Sequence, residues 1–243
     1  MESVTMIQVG RPSLLQPHLT PVVYIVDDDI SVRESLAPLI RCAGWHPVAF
    51  SSAREFLCYA QPSPAPCCLI LDVGLPDISG LDLQQQLADR YHPPIIFLTG
   101  YGDIPTSVRA MKAGALDFLT KPFRAEQLRD LVRAAVAQDC ERRTRNAEMD
   151  GLQRCFESLT PREREVLPLV VSGLLNKQAA VHLGISEITY QIHRSNVMRK
   201  MQAGSLAELV RLADALEIPV SHIRRPQRAS MKFAFTAPEL SLA

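Results

Sequence analysis

Val22-Val-Tyr-Ile-Val-Asp-Asp-Asp29 decides how the first half of the chain is read: five strand-favouring apolar residues run straight into three carboxylates. A short apolar run with no polar alternation predicts a strand buried on both faces. Four further runs follow, at Pro47–Phe50, Cys68–Leu71, Ile95–Leu98 and Ala115–Leu119. Between them, Ser31–Cys42, Leu81–Arg90 and Ile104–Lys112 carry apolar residues at helical spacing. Five strands alternating with helices predict a doubly wound α/β domain with a five-stranded parallel sheet, spanning residues 22–138. In such sheets the working site lies beyond the carboxyl ends of the strands.

Those ends carry acid chemistry. The first strand runs into Asp27, Asp28 and Asp29, the third ends at Asp72, the fourth at Thr99, and the fifth is followed by Lys121 and Pro122. Clustered carboxylates repel unless a cation intervenes. Mg²⁺ is the expected one, because it is hard, oxygen-seeking and suited to phosphate. Asp72 is then the nucleophile that takes a phosphoryl group as an acyl phosphate. Asp28 is the best metal ligand, Asp27 holds the ion or its water, and Gly74 offers a backbone carbonyl beside Asp72. Thr99 and Lys121 are placed to bind phosphoryl oxygens. A lone Asp at a strand end is usually a turn residue and a lone Lys usually solvated; the ordered set across four strand ends favours the functional reading. Asp29 is the exception, expected to cap the following helix.

Residues 156–222 predict a second, four-helix domain. Thr160, Pro161 and Glu163 form a capping box with proline at the first helical position. Asn176–Leu183, a turn at Gly184-Ile-Ser186, and Glu187–Met201 have the helix-turn-helix pattern. A second capping box, Ser205 with Glu208, opens Leu206–Glu217. The charged stretch Asp139–Asp150 lacks helix breakers, and residues 139–155 read as a helical linker. The leader, 1–21, and the tail, 223–243, read as disordered. In the helix pair, Lys177 and Arg194 or Lys200 are candidates for DNA phosphate, and Thr189, Gln191, Ile192 and Ser195 for base edges. Each also has a plain reading as exposed helix surface.

Composition narrows the class. The 243 residues carry no net charge, which argues against a protein that merely coats nucleic acid. Residues 22–138 hold 10 Lys and Arg against 13 Asp and Glu, and residues 157–225 hold 9 against 7. The second domain is only weakly basic, so DNA binding must rest on the motif. Six cysteines, none in a C-x-x-C pair, read as reduced small hydrophobes, and no zinc spacing with the six histidines is present. No apolar window approaches the roughly 18 residues of a membrane span, and no signal peptide is recognisable, so a cytoplasmic protein is expected.

Tyr24-Ile-Val-Asp-Asp-Asp29, Leu69-Ile-Leu-Asp72-Val-Gly-Leu-Pro76, Leu98-Thr-Gly-Tyr-Gly-Asp-Ile-Pro-Thr106 and Gly114-Ala-Leu-Asp-Phe-Leu-Thr-Lys121-Pro-Phe123 resemble the receiver domain of bacterial response regulators, most closely the FixJ type. Leu159-Thr-Pro-Arg-Glu-Arg-Glu-Val-Leu167, Gly173-Leu-Leu-Asn-Lys-Gln-Ala-Ala180 and His193-Arg-Ser-Asn-Val-Met-Arg-Lys-Met201 resemble the LuxR-type DNA-binding domain. The resemblance implies a sensor histidine kinase as phosphoryl donor, and Thr99 with Phe118 as the pair that reports phosphorylation. It implies a cis Lys121–Pro122 bond and no turnover of other substrates. A phosphorylation-favoured homodimer, using Ile104–Lys112 and Ala125–Val136, is expected on an inverted repeat of double-stranded DNA. There it acts as a transcription activator, with RNA polymerase as a partner.

Four departures from the group stand out. Gly74 replaces a larger polar or basic residue and opens the site. Gln191 replaces a charged residue and suits adenine. Tyr190 replaces Val and Ala179 replaces Ile, which predicts that Tyr190 fills the volume vacated at Ala179. The rivals are a Mg²⁺-dependent phosphatase using Asp72, a flavin-binding domain, and a phosphorylation-independent DNA-binding protein whose receiver only dimerises. The first lacks an acid–base partner near Asp72, since Asp77 lies off the strand end. The second would need a phosphate cradle where three aspartates stand.

Overall fold

A computed structural model describes residues 19–59, 63–88, 93–100 and 104–218. Residues 1–18 of the expected leader and all of the expected tail lie outside the described residues. The first unit contains five strands, β1 (Val22–Val26), β2 (His46–Phe50), β3 (Cys67–Asp72), β4 (Ile95–Thr99) and β5 (Asp117–Thr120). They alternate with α1 (Ile30–Cys42), α2 (Ala53–Tyr59), α3 (Gly80–Ala88), α4 (Ile104–Lys112) and α5 (Ala125–Glu157). The sheet is wholly parallel in the order β2-β1-β3-β4-β5. After β2 the chain crosses to the other side of β1, so the reversal of direction falls between β1 and β3. That is where a doubly wound sheet opens a crevice at its carboxyl edge.

The apolar runs of β1, β3 and β4 are continuous because these strands feed two cores, alternate side chains pointing to opposite faces. Tyr24, Val26, Leu69, Leu71, Ile95 and Phe97 pack on the face with Phe56, Leu83 and Ala110 of α2, α3 and α4. Val23, Ile25, Cys68, Ile70, Ile96 and Leu98 pack on the other, with Leu36, Ile40, Leu128 and Val132 of α1 and α5. The register pairs Val26 with Leu71, Leu71 with Phe97 and Phe97 with Phe118. Asp27, Asp72, Thr99 and Lys121 therefore emerge along one edge.

Helix α5 runs unbroken from Ala125 to Glu157, through the stretch expected as a helical linker. The linker does not begin at residue 139, however. Asp139 is fully buried in the first unit. Its carboxylate accepts from the Cys67 backbone N–H at 2.9 Å and from Arg143 Nε at 2.6 Å, and also pairs with Arg142. Arg143 reaches on to the Ser63 carbonyl at 2.8 Å. The compact units divide between Ala147 and Glu148 instead.

The second unit contains α6 (Pro161–Val171), α7 (Asn176–Leu183), α8 (Glu187–Lys200) and α9 (Leu206–Ala215). Thr160 and Glu163 form the reciprocal capping box, with bonds of 3.3 and 2.8 Å. Gly184 takes the left-handed φ of 64° that ends α7, and Ser186 caps α8 through the Thr189 N–H at 3.0 Å. The second expected box is displaced: Ser205 accepts from Glu208 N at 3.1 Å, but the Glu208 carboxylate reaches Gly204 N at 2.9 Å instead of the cap.

Tyr190 is fully buried in one core with Ala179, Val166, Val197 and Leu209, and its hydroxyl has no hydrogen-bond partner among the described residues. This position suits the volume-filling role expected for it. Tyr190→Val is expected to cost about 1–3 kcal/mol through the cavity it opens. Tyr190→Phe is expected to be neutral or stabilising, because it removes a buried hydroxyl that bonds to nothing. Urea denaturation followed by helical circular dichroism separates the two; equal losses would show that the hydroxyl, and not ring volume, matters.

Candidate phosphoacceptor site and DNA-contact helix

The carboxyl edge of the sheet assembles a buried ion cluster. Asp27, 1% exposed, accepts from Asp29 N at 3.0 Å through Oδ1 and from Lys121 Nζ at 2.6 Å through Oδ2. Asp72, 8% exposed, accepts from the same ammonium at 2.9 Å through Oδ1 and from Gly74 N at 2.7 Å through Oδ2. Lys121 enters the site from a cis Lys121–Pro122 peptide, and its own backbone N–H donates to the Thr99 carbonyl at 2.7 Å. Thr99 is buried on β4. Phe118 lies one strand over, its ring 6.3 Å from that of Phe97. Asp28 is exposed beside this cluster, and Asp29 caps α1 by accepting from Ser31 N at 2.8 Å.

Burial raises the Asp27 carboxyl above its ordinary range, against the pull of Lys121. Burial also works against the Lys121 ammonium, but its bonds to Asp27 and Asp72 outweigh it and hold the proton more tightly than usual. The site is thus short of positive charge even with its lysine in place. Its remaining donors are hard oxygens, which is the set that suits Mg²⁺. Among the described residues no three His, Cys, Asp or Glu side chains close into a ready ligand set, because Lys121 stands between two of the carboxylates.

Several supporting residues had no distinct signal in the sequence. Arg33 Nη1 donates to the backbone carbonyls of Asp27 at 2.6 Å and Asp28 at 2.9 Å, fixing the acidic turn from α1. Asp77 accepts from Arg54 N at 2.9 Å and Ala53 N at 3.3 Å, so it satisfies the first turn of α2 from a distant loop. Gly80 is required by close approach: a Cβ there would stand 2.4 Å from the Asp72 carbonyl oxygen. Gly80→Ala must push the start of α3 and the Asp72 backbone apart. It is expected to lower the rate of phosphoryl uptake about tenfold or more, since small misplacements of reacting groups carry large rate penalties. Labelling rates from a small phosphoryl donor check this; a wild-type rate would contradict it. Gly74, whose Cβ would lie 3.3 Å from Asp72 Oδ2, keeps the solvent side of the carboxylate open.

In the second unit the expected DNA contacts divide into two groups. Lys177, Gln191, Ile192 and Ser195 are exposed. Three others are engaged within the domain. Lys200 Nζ bonds Glu163 at 2.7 Å and the Ser158 carbonyl at 3.1 Å, Arg194 Nη1 bonds Asn176 at 2.7 Å, and the Thr189 hydroxyl lies 2.8 Å from that of Ser186. Lys200, expected to hold phosphate, ties α8 to α6 through its bond to Glu163. Ile188, exposed one turn before Ile192, was missed, although the spacing of four places it on the same face.

Comparison with known proteins agrees with the two units of the chain. Residues 23–133 match the family described as "Response regulator receiver domain", and residues 157–213 match "Bacterial regulatory proteins, luxR family". Nodulation protein W of Bradyrhizobium diazoefficiens is 51% identical over 207 residues, covering 85% of this chain and 91% of that protein. Transcriptional regulatory protein FixJ of the same organism is 40% identical over 192 residues, covering 79% and 93%. The solved structure of response regulator StyR is 46% identical, with a TM-score of 0.74, and the match covers 81% of this chain and 99% of that one. The chain belongs to the two-component response regulators that join a receiver domain to a LuxR-type DNA-binding domain. Within them it is similar to the FixJ, nodulation protein W and TodT regulators.

Proposed function

We propose that Asp72 is the phosphoacceptor, and that phosphorylation by a sensor histidine kinase turns this chain into a dimeric transcription activator. The observation that carries the proposal is the Lys121 ammonium bridging Asp27 and Asp72 at 2.6 and 2.9 Å. A carboxylate held at a strand end, with a cation beside it and an open Gly74 flank, is set up for attack on phosphorus. An Asp72 carboxylate oxygen forms the new O–P bond as the P–N bond of a phosphohistidine breaks, and the departing imidazole nitrogen takes a proton. Lys121 Nζ then turns from the aspartates to a phosphoryl oxygen, and Thr99 supplies a hydroxyl to another. Asp27, Asp28, Asp72 and the Gly74 carbonyl would hold Mg²⁺ once Lys121 turns away, and the ion would supply charge neutralisation for the transfer.

The chain acts on itself and turns over no other substrate in this reading, which is supported by the occupation of Asp77, the acid the phosphatase rival would use, by the α2 amides. A phosphoryl group brings about −1.5 to −2 charges to the edge of the sheet. Movement of Thr99 and Phe118 toward it biases the face of α4, β5 and α5. Driving a regulator from almost all off to almost all on takes roughly 5.5 kcal/mol of differential stabilisation. Dimerisation contributes part of it, and α4 exposes Val108 and Met111 one turn apart, apolar side chains suited to that contact. The dimer presents two recognition helices to an inverted repeat in a cytoplasmic setting, where RNA polymerase is the partner of activation. No helix among the described residues is long and apolar enough to cross a membrane.

Light scattering and DNA gel shifts with acetyl phosphate and Mg²⁺ test this proposal, with Asp72→Ala as control. Wild type is expected to dimerise and gain DNA affinity. Equal behaviour of the variant would favour the rival in which the receiver dimerises without phosphate.

A further inference from the structure

The exposed face of α8 has an unusual chemistry for a helix that reads DNA. Recognition helices contact base edges through their N-terminal residues. In the first two turns of α8 and just beyond, the exposed side chains are Glu187, Ile188, Gln191, Ile192 and Ser195. Ile188 is 72% exposed and Ile192 57%, although the core of the unit closes without either. Neither Arg nor Lys stands among them. Of the Arg and Lys residues of α8, Arg194 is bonded to Asn176 and Lys200 to Glu163, leaving Arg199 exposed in the last turn.

A bidentate Arg or Lys is the commonest reader of guanine, and this face does not offer one in its leading turns. It offers two branched apolar side chains one turn apart, with an amide between them. In the major groove the one apolar feature of a base pair is the thymine 5-methyl group, and a glutamine amide fits adenine N6 and N7. We infer that Ile188 and Ile192 read thymine methyl groups and Gln191 an adjacent adenine, so that each half-site is specified by A·T pairs through methyl contact. This rests on the reading that α8 enters the major groove. It deepens that reading by naming what the helix recognises.

The test uses the full chain with acetyl phosphate and Mg²⁺ against random-sequence duplex pools. Selected half-sites should be rich in A·T pairs. In the best selected duplex, thymines are then replaced one at a time by deoxyuridine, which removes only the methyl. Wild type should lose about fourfold in affinity at each contacted thymine, the worth of one buried methyl-sized group. Ile188→Ala/Ile192→Ala should bind thymine and uracil duplexes equally while keeping the wild-type dependence on salt, which reports phosphate contacts. Both sites are exposed, and an unchanged thermal melt confirms an intact fold. Equal binding of thymine and uracil duplexes by wild type would overturn the inference while leaving DNA binding standing. So would a double variant with unaltered affinity and discrimination, which would point to a protein partner for this face. Failure to enrich any duplex would overturn the inference together with the DNA-binding reading beneath it.

Discussion

Asp139→Ala is expected to lower the unfolding free energy of the first unit by about 3–5 kcal/mol, the loss that follows when one member of a buried ion cluster is removed. The wild-type carboxylate is fully buried and accepts from Cys67 N and from both Arg142 and Arg143. Without it Arg142 and Arg143 lose the buried carboxylate they share beside the start of β3, and the Cys67 amide loses the acceptor that Asp139 gives it. The chain's one tryptophan, Trp45, packs in this unit, so its fluorescence in a urea titration reports this unit's transition. A loss well under 1 kcal/mol would show that the cluster is solvated and of little weight.

The same residue gives stability a pH dependence. Burial pushes the Asp139 carboxyl up, but its bonds to Arg143, Cys67 and Arg142 outweigh that and hold it below the ordinary carboxylate range. A carboxyl whose folded value lies below its unfolded value, about 3.9, contributes fully above that value and loses its contribution as pH falls through the folded one. Wild type should therefore weaken as pH falls below about 4, and Asp139→Ala should lack that share of the acid loss.

Lys121→Ala is expected to slow phosphoryl uptake by about 10²–10³-fold, the usual consequence of removing one preorganised charge partner from a transition state. Its ammonium is shared by Asp27 and Asp72. Removing it leaves two carboxylates opposed across the site, which raises Asp27 further and takes a cation from the phosphoryl oxygens. Timed labelling with acetyl phosphate measures the effect. An unchanged rate would reduce Lys121 to a structural ion pair.

The sheet was legible because its three central strands are buried on both faces and so appear as unbroken apolar runs, and because carboxylates stand where β1 and β3 stop. Bond partners across the fold were not legible. Asp139 sits in a charged stretch that reads as solvated linker, and its partner Cys67 lies 72 residues away. Gly80 looks like any helix-start glycine until the Asp72 carbonyl is seen beside it. Asp77 was visible as a nearby acid, but its use as a distant helix cap depends on where α2 begins. That helix is only seven residues long and carries too little periodicity to stand out. In the second unit the capping residues were legible because their bonds are local. The pairing of Lys200 with Glu163, 37 residues apart, was not legible from charge alone.

The central claim is that Asp72 accepts a phosphoryl group. Intact-protein mass after incubation with Mg²⁺ and acetyl phosphate tests it most directly, with wild type beside Asp72→Ala. One acid-stable, base-labile phosphoryl adduct on wild type and none on the variant is the predicted result. No adduct on wild type, under conditions that label a control receiver, or an equal adduct on both proteins, would contradict it.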